Sequence, residues 1–289
     1  MHEELATRLA KASVVMLLGA IDTGKTTLAR KILAAGVAAG RSCAYVDADI
    51  GNSTVGPPAC VGVRYASTRD DLSDLETPDQ LHFVGAISPN RLVLQQVMAT
   101  ASGVALAKER ADLVVIDTTG VTTGVAGETL KYHKMEICRP DEVVALQRGA
   151  ELEPLVGMLR RFFSVEATMA AADPDVAPTS PDERAAQRAA RFKEAFAPPL
   201  ERWRVRPTVF APTLPSGLDL ERLSGMLVGI HDGEGSCRGL GRLEYKEDKL
   251  LVETNVPEGM QGLRLGSLRL DLDTYDAKPV NLREVIFGI

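Results

Sequence analysis

Short apolar segments alternate with longer amphipathic ones through the first part of the chain. The apolar segments predict β-strands at 13–18, 42–47, 81–86, 112–117, 142–147 and 164–170. Between them, apolar residues recur with helical spacing and predict helices at 26–39, 91–109, 124–137 and 151–162. This alternation is typical of an α/β fold with a mostly parallel sheet covered by helices on both faces. Ligands of such sheets bind at the carboxyl ends of the strands.

The pattern changes after about residue 171. Residues 171–181 are rich in Pro, Asp and Ala and predict a surface loop. A helix is predicted at 182–196, with Ser180 as its N-cap, Pro181 in its first position and Glu183 completing a capping box. From about residue 213, short alternating strands with glycine-containing turns predict a small β-rich domain at 213–289. The preceding domain would span 1–212.

Composition excludes several classes of protein. The chain has 289 residues, 45% of them hydrophobic, and a net charge of −6, which argues against a broad basic face that coats long nucleic acids. No apolar run approaches the ~20 residues needed to cross a bilayer, and the first residues lack a signal-peptide core. We therefore expect a cytoplasmic protein with no membrane partner. The four cysteines form no C-x-x-C pair, so buried thiols are expected rather than structural zinc.

The first candidate site lies between the strand at 13–18 and the helix that follows it. This segment is a complete G-x-x-x-x-G-K-T phosphate-binding loop. Its backbone N–H groups and the following helix N-terminus suit the phosphates of a nucleoside triphosphate. Lys25 is expected to contact the phosphates, and the Thr26 hydroxyl to bind Mg2+. The predicted nucleotide-binding residues are Gly19, Asp22, Thr23, Gly24, Lys25, Thr26 and Thr27.

Acidic residues end two of the predicted strands. Asp117 closes an apolar strand in a Walker B pattern and is a candidate ligand of Mg2+; Thr119 and Gly120 follow it in a loop that can sense the γ-phosphate. Asp47 and Asp49 follow the second strand, and strand alternation places them on one side. A carboxylate there can accept a proton from an attacking hydroxyl, although solvated or capping roles remain open.

These motifs together resemble the polynucleotide 5′-hydroxyl kinases. The resemblance rests on the phosphate-binding loop, on Asp49-Ile-Gly-Asn52 followed by two prolines, and on Asp117-Thr-Thr-Gly-Val-Thr-Thr-Gly124 leading into LKYHKMEICRPDEVVALQR. It covers about residues 13–200, and the C-terminal segment is similar to the family's small C-terminal domain. The family moves the γ-phosphoryl group of ATP onto the 5′-hydroxyl of a polynucleotide. The implied cofactors are therefore ATP and Mg2+.

The resemblance also implies roles for individual residues. Asp49 matches the family's general base and, with Thr26 and Asp117, is a candidate ligand of the metal. Asn52 stands where the family usually has Gln. Ser88 matches a position that contacts the terminal nucleotide, and Thr119 and Gly120 border the substrate. Lys25 and three arginines of the lid helix, Arg184, Arg188 and Arg191, would stabilise charge on the transferred phosphoryl group.

The resemblance also implies an Arg-rich lid over the phosphates at about 171–197, and the helix predicted in this segment is locally basic. Its three arginines fall at i, i+4 and i+7, beside an apolar stripe that contains Phe192 and Phe196. Residues 182–206 hold seven basic and four acidic side chains in a chain that is acidic as a whole. This pattern favours a lid over the phosphates, with an exposed, solvated helix face as the alternative.

Other residues depart from the family or admit simpler interpretations. Val121 stands where eukaryotic members often have a base-stacking Trp. Lys131, His133 and Lys134 are interpreted as surface charge, with contact to a substrate phosphate as the alternative. Trp203 is expected to pack the linker against the core, with base stacking as the alternative. His82 and His231 are interpreted as structural.

The sequence thus predicts an ATP- and Mg2+-dependent kinase that phosphorylates the 5′-hydroxyl ends of single-stranded RNA or DNA. A regulatory or scaffolding NTPase without transfer activity and a small-molecule kinase remain as alternatives. A nucleotide-switched metallochaperone is disfavoured because the chain has no C-x-x-C pair and carries Ala20 where that class has a second lysine. The preferred sugar, the preferred first base, the choice between ATP and GTP, and the oligomeric state are not predicted.

Overall fold

A computed structural model describes residues 2–256 and 258–287. In these ranges the α-helices are, in chain order, α1 (Glu3–Leu9), α2 (Lys25–Ala38), α3 (Arg69–Ser73), α4 (Val93–Lys108), α5 (Gly124–Cys138), α6 (Glu153–Phe162), α7 (Pro181–Ala195) and α8 (Leu282–Phe287). The strands are β1 (Val14–Gly19), β2 (Cys43–Ala48), β3 (Cys60–Ala66), β4 (Gln80–Phe83), β5 (Leu113–Thr118), β6 (Glu142–Gln147), β7 (Glu166–Ala171), β8 (Glu201–Arg204), β9 (Met226–His231), β10 (Cys237–Lys246), β11 (Lys249–Thr254), β12 (Gly262–Leu270) and β13 (Ala277–Pro279). Among these described residues, no helix is long and apolar enough to span a membrane.

The strands form one mixed sheet. Its main path runs β13-β12-β9-β10-β4-β3-β2-β5-β1-β6-β7, while β11 pairs with β10 and β8. Strands β2, β5, β1, β6 and β7 are parallel, and β3 and β4 pair antiparallel to this group. The predicted α/β class, with helices on both faces and antiparallel strands towards the C-terminus, is confirmed.

The central strands are buried on both faces, which explains why they are continuously apolar. In β1, Val14, Met16 and Leu18 face one apolar cluster with residues of α4, α5 and α6. Val15 and Leu17 face a second cluster with residues of α1 and α2. Side chains of a strand alternate between the two faces, so every position in β1 has to be apolar. This constraint fixes β1 in the sheet and holds the loop that follows it.

Strand β3 was missed by the sequence analysis. Its sequence is interrupted by Gly62 and Arg64, so it lacks the continuous apolar run of the parallel strands. Gly62 packs so closely on a neighbouring loop that a Cβ atom would lie 2.3 Å from the Val55 carbonyl oxygen. The position therefore requires glycine for packing, which weakens the local strand pattern.

The C-terminal strands continue the sheet antiparallel to β4. Cys237 of β10 pairs with Leu81 of β4. Two close approaches tighten the junction: a Cβ on Gly229 would lie 2.4 Å from Phe83, and one on Gly85 would lie 2.6 Å from the Gly266 Cα. Strand β8 pairs with β11, so residues 201–204 lie with the C-terminal strands.

Trp203 does not have the predicted packing role. It lies on the edge strand β8 and is 44% exposed, while the neighbouring Val205 is buried in the C-terminal core. The linker is thus held by Val205 and by backbone pairing with β11 rather than by the indole. The basic residues around Trp203 in the sequence did not show whether Trp203 or Val205 faces the core.

The lid helix α7 is fixed at its C-terminal half by two phenylalanines. Phe192 and Phe196 are fully buried in a cluster that includes Ala59, Phe83 and Leu240. At the other end, the Ser180 and Glu183 side chains form the predicted capping box. Because the N-terminal half buries no comparable apolar side chain, the lid is held strongly at one end only.

We predict that Phe192→Ala destabilises the protein by about 3–5 kcal/mol, because it removes a buried aromatic side chain and leaves a cavity. Phe162→Ala is the matched control, since Phe162 is 61% exposed on α6, and its cost should be below about 1 kcal/mol. Urea unfolding measures both. Equal costs for the two variants would contradict a buried anchor for the lid.

Candidate active site

The loop between β1 and α2 has the conformation that its glycines permit. Gly24 caps α2 with a φ of 90°, in the left-handed region that favours glycine. A Cβ on Gly19 would lie 2.4 Å from the Thr23 hydroxyl and 3.0 Å from the Leu146 carbonyl oxygen. The loop therefore folds tightly in front of the α2 N-terminus, whose unpaired N–H groups and dipole suit an anion.

Lys25 is almost fully buried, and its ammonium lies against its own loop. Nζ donates hydrogen bonds to the carbonyl oxygens of Gly19 (3.0 Å) and Ala20 (2.7 Å). These contacts hold the loop closed and partly neutralise a buried charge. To contact a phosphate, Nζ has to exchange at least one carbonyl for a phosphate oxygen.

Asp117 connects the loop helix to two strands of the sheet. Its Oδ2 accepts hydrogen bonds from the Thr26 hydroxyl (2.6 Å) and the Tyr45 hydroxyl (2.9 Å). Oδ1 is buried and has no hydrogen-bond partner among the residues that the structure describes. Burial raises the pKa of Asp117, while the nearby Lys25 lowers it. A buried carboxylate oxygen without a partner, beside a hydroxyl, is a donor set that suits a hard divalent cation.

The two carboxylates after β2 have different environments. Asp47 is buried and accepts hydrogen bonds from the backbone N–H groups of Asp49 (3.0 Å), Thr54 and Val55 (3.0 Å). Burial raises the pKa of Asp47 to about 8, with Asp117 and Asp49 adding to the effect. Asp49 is half-buried, and its Oδ1 accepts from the N–H groups of Gly51 (3.1 Å) and Asn52 (3.2 Å). Asp47 thus shapes the loop, whereas Asp49 faces the cleft.

A cleft of about 210 Å³, called the nucleotide cleft below, lies above the loop. It brings together eight of the residues that the sequence analysis selected, and Ile21 and Val176 complete its lining. The eight are Asp22, Thr23, Gly24, Lys25, Thr26, Thr27, Asp49 and Asn52. The phosphate-binding loop and the candidate base therefore share one cavity.

The lid crosses this cleft at its N-terminal end. Asp22, at a φ of 58°, accepts a hydrogen bond from the Thr179 N–H (2.8 Å) and lies 3.6 Å from the Arg184 guanidinium. Arg188 donates to the Asn52 side chain at 3.4 Å. Arg184 and Arg188 thus border the cleft.

Arg191 has a different environment. Its guanidinium donates to the carbonyl oxygens of Thr54 (2.7 Å) and Gly56 (3.1 Å). It also pairs with Glu76 at 3.0 Å and Glu194 at 2.9 Å. The structure therefore places Arg191 as a bond between the lid and the loop after β2, outside the nucleotide cleft.

Arg148 is a residue of this region that the sequence analysis did not select. It follows β6 and donates to the carbonyl oxygens of Ile21 (3.3 Å) and Asp22 (2.6 Å). It thereby fixes the outer turn of the phosphate-binding loop. The sequence did contain a signal for Arg148: it comes directly after β6, the strand that pairs with β1. A residue at that position lies beside the phosphate-binding loop, because the loop follows β1 at the same edge of the sheet.

The remaining predicted substrate residues lie in two different places. Thr119 is buried, and Gly120 packs on the loop so that a Cβ would lie 2.7 Å from the Ile21 nitrogen. Ser88 is half-buried in a separate cavity of about 260 Å³, where Ser267 and Val280 of the C-terminal segment complete the lining. Ser88 therefore does not line the nucleotide cleft.

Comparison with known proteins identifies the family. The model of the family described as mRNA cleavage and polyadenylation factor CLP1 P-loop matches residues 19–197. The chain belongs to the CLP1 P-loop family. It is similar to the polyribonucleotide 5′-hydroxyl-kinase PH0197 of Pyrococcus horikoshii, with 28% identity over 93% of this chain and 89% of the relative. The polyribonucleotide 5′-hydroxyl-kinase PF0112 of Pyrococcus furiosus is 26% identical over 97% of this chain and 88% of the relative.

A solved structure shares this fold. Clp1p in the wild-type Clp1p–Pcf11p complex superposes with a TM-score of 0.69 over 92% of this chain and 77% of that chain, at 14% identity. At this identity the similarity shows the fold alone. The family assignment predicted from the motifs is confirmed.

Two lysines of this CLP1-family chain correct the sequence analysis. Lys131 and Lys134 are fully buried, so their interpretation as surface charge is wrong. Lys131 donates to the Thr118 hydroxyl (2.8 Å) and the Thr119 carbonyl oxygen (2.6 Å), and Lys134 Nζ has no hydrogen-bond partner among the described residues. Burial lowers the pKa of both ammonium groups, that of Lys134 to about 8. His133 is exposed and pairs with Glu136 at 3.0 Å, as a surface residue does.

The lysines are buried because of their position on α5. Residues three apart on a helix lie on one face, and this face of α5 packs towards β5 and the loop that follows it. Charge alone, which the sequence analysis used, does not tell which helix face is turned inward. Lys131 supports the loop that carries Thr119 and Gly120.

We predict that Asp22→Ala loosens the N-terminal end of the lid, because it removes the acceptor of the Thr179 N–H and the partner of Arg184. Hydrogen exchange at the Thr179 amide should accelerate about tenfold or more, as expected when a hydrogen bond of about 1.5 kcal/mol or more is lost. Asp22→Asn is the control, since Asn retains an acceptor and tolerates the positive φ. Unchanged exchange in Asp22→Ala would contradict this attachment.

Proposed function

We propose that this chain is an ATP-dependent polynucleotide 5′-hydroxyl kinase that acts on single-stranded RNA or DNA ends. The observation that carries the proposal is the shared cleft: the phosphate-binding loop and the half-buried Asp49 line the same cavity. A base beside the γ-phosphate position suits transfer to a hydroxyl acceptor. The relatives named polyribonucleotide 5′-hydroxyl-kinase, which match over most of their length, support the same activity.

Mg2+ fits the residues at the base of the cleft. Thr26 and Asp117 would hold it, since the hydroxyl and carboxylate already lie 2.6 Å apart and Asp117 Oδ1 has no protein partner among the described residues. When bound, the ion would neutralise charge on the phosphates and lower the cost of the buried carboxylates. Tyr45 keeps Asp117 oriented through its own hydrogen bond.

Asp49 would be the general base. Its Oδ1 is held by two backbone N–H groups, and no described residue donates a hydrogen bond to Oδ2. Oδ2 can therefore take the proton of the attacking 5′-hydroxyl. The 5′-oxygen forms a bond to the γ-phosphorus as the bond from that phosphorus to the β,γ-bridging oxygen breaks, which leaves ADP.

Basic side chains on two sides of the cleft would stabilise the negative charge on the transferred phosphoryl group. Lys25 approaches from the loop, after release from the Gly19 or Ala20 carbonyl. Arg184 and Arg188 approach from the lid, with Arg184 able to leave Asp22 for a phosphate. Guanidinium groups suit this task because they donate two parallel hydrogen bonds to phosphate oxygens.

The proposal is tested with γ-labelled ATP, Mg2+ and a short single strand that carries a 5′-hydroxyl, in RNA and DNA forms. Label should appear on these strands and not on matched 5′-phosphorylated strands. ATP binding without any labelled strand would contradict the kinase and favour a regulatory NTPase. Stronger labelling of a free nucleoside than of any strand would favour a small-molecule kinase.

We predict that Asp49→Asn lowers kcat by about 10²–10⁴-fold, the usual contribution of a positioned base. Asn keeps an oxygen that accepts the Gly51 and Asn52 N–H groups but cannot take a proton. Binding of ATP, measured by calorimetry, should change little. A kcat equal to that of the unchanged protein would exclude Asp49 as the base.

A further inference from the structure

A second cavity adjoins the nucleotide cleft. It encloses about 350 Å³ between α2, the loop after β2 and the lid helix α7. We call it the arginine cavity after its charged lining, which consists of Arg30, Arg188 and Arg191 with Glu76 and Glu194. Asn52 lines both cavities, whereas residues 21–27 of the phosphate-binding loop line the nucleotide cleft and not the arginine cavity. The two cavities therefore meet at Asn52.

The acidic side chains of the arginine cavity are already paired. Glu76 and Glu194 both bind the Arg191 guanidinium, at 3.0 Å and 2.9 Å. Three arginines against two glutamates leave a net positive charge in the lining. One guanidinium therefore satisfies both carboxylates, and two remain for other anions.

Within residues 2–256 and 258–287, no carboxylate pairs with Arg30 or Arg188. Arg30 is exposed on α2 and makes no hydrogen bond or ion pair with any described residue. Arg188 is half-buried, and its one hydrogen bond to a described residue goes to the Asn52 side chain at 3.4 Å. Burial and the nearby Arg184 lower the pKa of Arg188, while Asp49 raises it, which places its guanidinium in the field of the candidate base.

We propose that the arginine cavity binds the first internucleotide phosphate of the acceptor strand, with Arg30 as the donor. Arg188, beside Asn52 at the boundary between the two cavities, stays with the transferred phosphoryl group. This inference rests on the proposed function, because it places the strand's 5′-hydroxyl at Asp49. The Asn52 N–H donates a hydrogen bond to Asp49 Oδ1, so Asn52 lies directly beside the candidate base. A strand whose 5′-hydroxyl is at Asp49 and which continues past Asn52 therefore enters the arginine cavity. Planar guanidinium groups suit a phosphodiester, and the contact would favour strands over nucleosides.

The test compares two short 5′-hydroxyl strands, one with a normal first linkage and one with a neutral methylphosphonate there. For the unchanged protein, the neutral linkage should weaken binding and raise KM about tenfold, the usual effect of losing a hydrogen bond to a charged group. In Arg30→Ala the same replacement should have an effect of about twofold, because the donor is gone. Alanine suits the helix position, so α2 should stay folded.

Two controls accompany this comparison. Arg161→Ala removes an exposed arginine of the α6 end, outside the cavity lining, and should keep the full tenfold discrimination. Arg30→Lys keeps the positive charge and should therefore keep part of the discrimination between the two linkages. The salt dependence of strand binding should become shallower in Arg30→Ala by about one unit of the logarithmic slope, as expected for one lost phosphate contact.

Three results would overturn the inference. Arg30→Ala could discriminate between the two linkages as strongly as the unchanged protein, or it could raise the KM for ATP instead of that for the strand. The unchanged protein could also bind both strands equally. If the strands are discriminated but no phosphoryl group is transferred, the phosphate subsite is retained and the kinase is contradicted. If phosphoryl transfer occurs without discrimination, the kinase is retained and the phosphate subsite is contradicted.

Discussion

The active site depends on one buried carboxylate. Asp117 accepts hydrogen bonds from Thr26 on α2 and from Tyr45 on β2, while its own strand β5 pairs with both β1 and β2. One side chain thus fixes the loop helix relative to two strands. The cost of burying this charge is offset only in part by these two donors and by Lys25, because Oδ1 has no hydrogen-bond partner in the described part of the chain. The fold therefore holds a site whose electrostatics favour a cation.

The lid combines two attachments of different strength. At its C-terminal half, Phe192 and Phe196 are buried in the core, and Arg191 adds hydrogen bonds to two carbonyl oxygens. At its N-terminal half, Asp22 is the main contact, through one backbone hydrogen bond and one ion pair at a partly exposed position. Apolar burial of an aromatic ring exceeds a single such bond in free energy. Opening is therefore expected at the Asp22 end, which is the end above the phosphates.

Much of the fold followed from the sequence because its strongest signals are local. The parallel strands are continuously apolar, and the phosphate-binding loop, the capping box at Ser180 and the Asp117 strand each follow short-range rules. Strand β3 was missed because its pattern is broken by Gly62, whose role is a tertiary contact with Val55. Lys131, Lys134 and Trp203 were misassigned for a related reason. Their burial is decided by which face of α5 or β8 is turned inward, and charge or aromaticity does not specify this.

The division of roles among the lid arginines follows from helix geometry. The sequence analysis placed Arg184, Arg188 and Arg191 on one stripe of the helix, and their spacing of i, i+4 and i+7 does put them on the same helix face. A helix rises about 1.5 Å per residue, so Arg184 and Arg191 lie about 10 Å apart along the axis, well beyond the width of one phosphoryl group. A single stripe across the cleft must therefore meet different partners in turn: Asp22 at the loop, Asn52 at the boundary between the cavities, and the carbonyl oxygens of Thr54 and Gly56 beyond it. The spacing that places Arg184 at the nucleotide cleft therefore places Arg191 beyond it, where its hydrogen bonds hold the lid to the loop after β2.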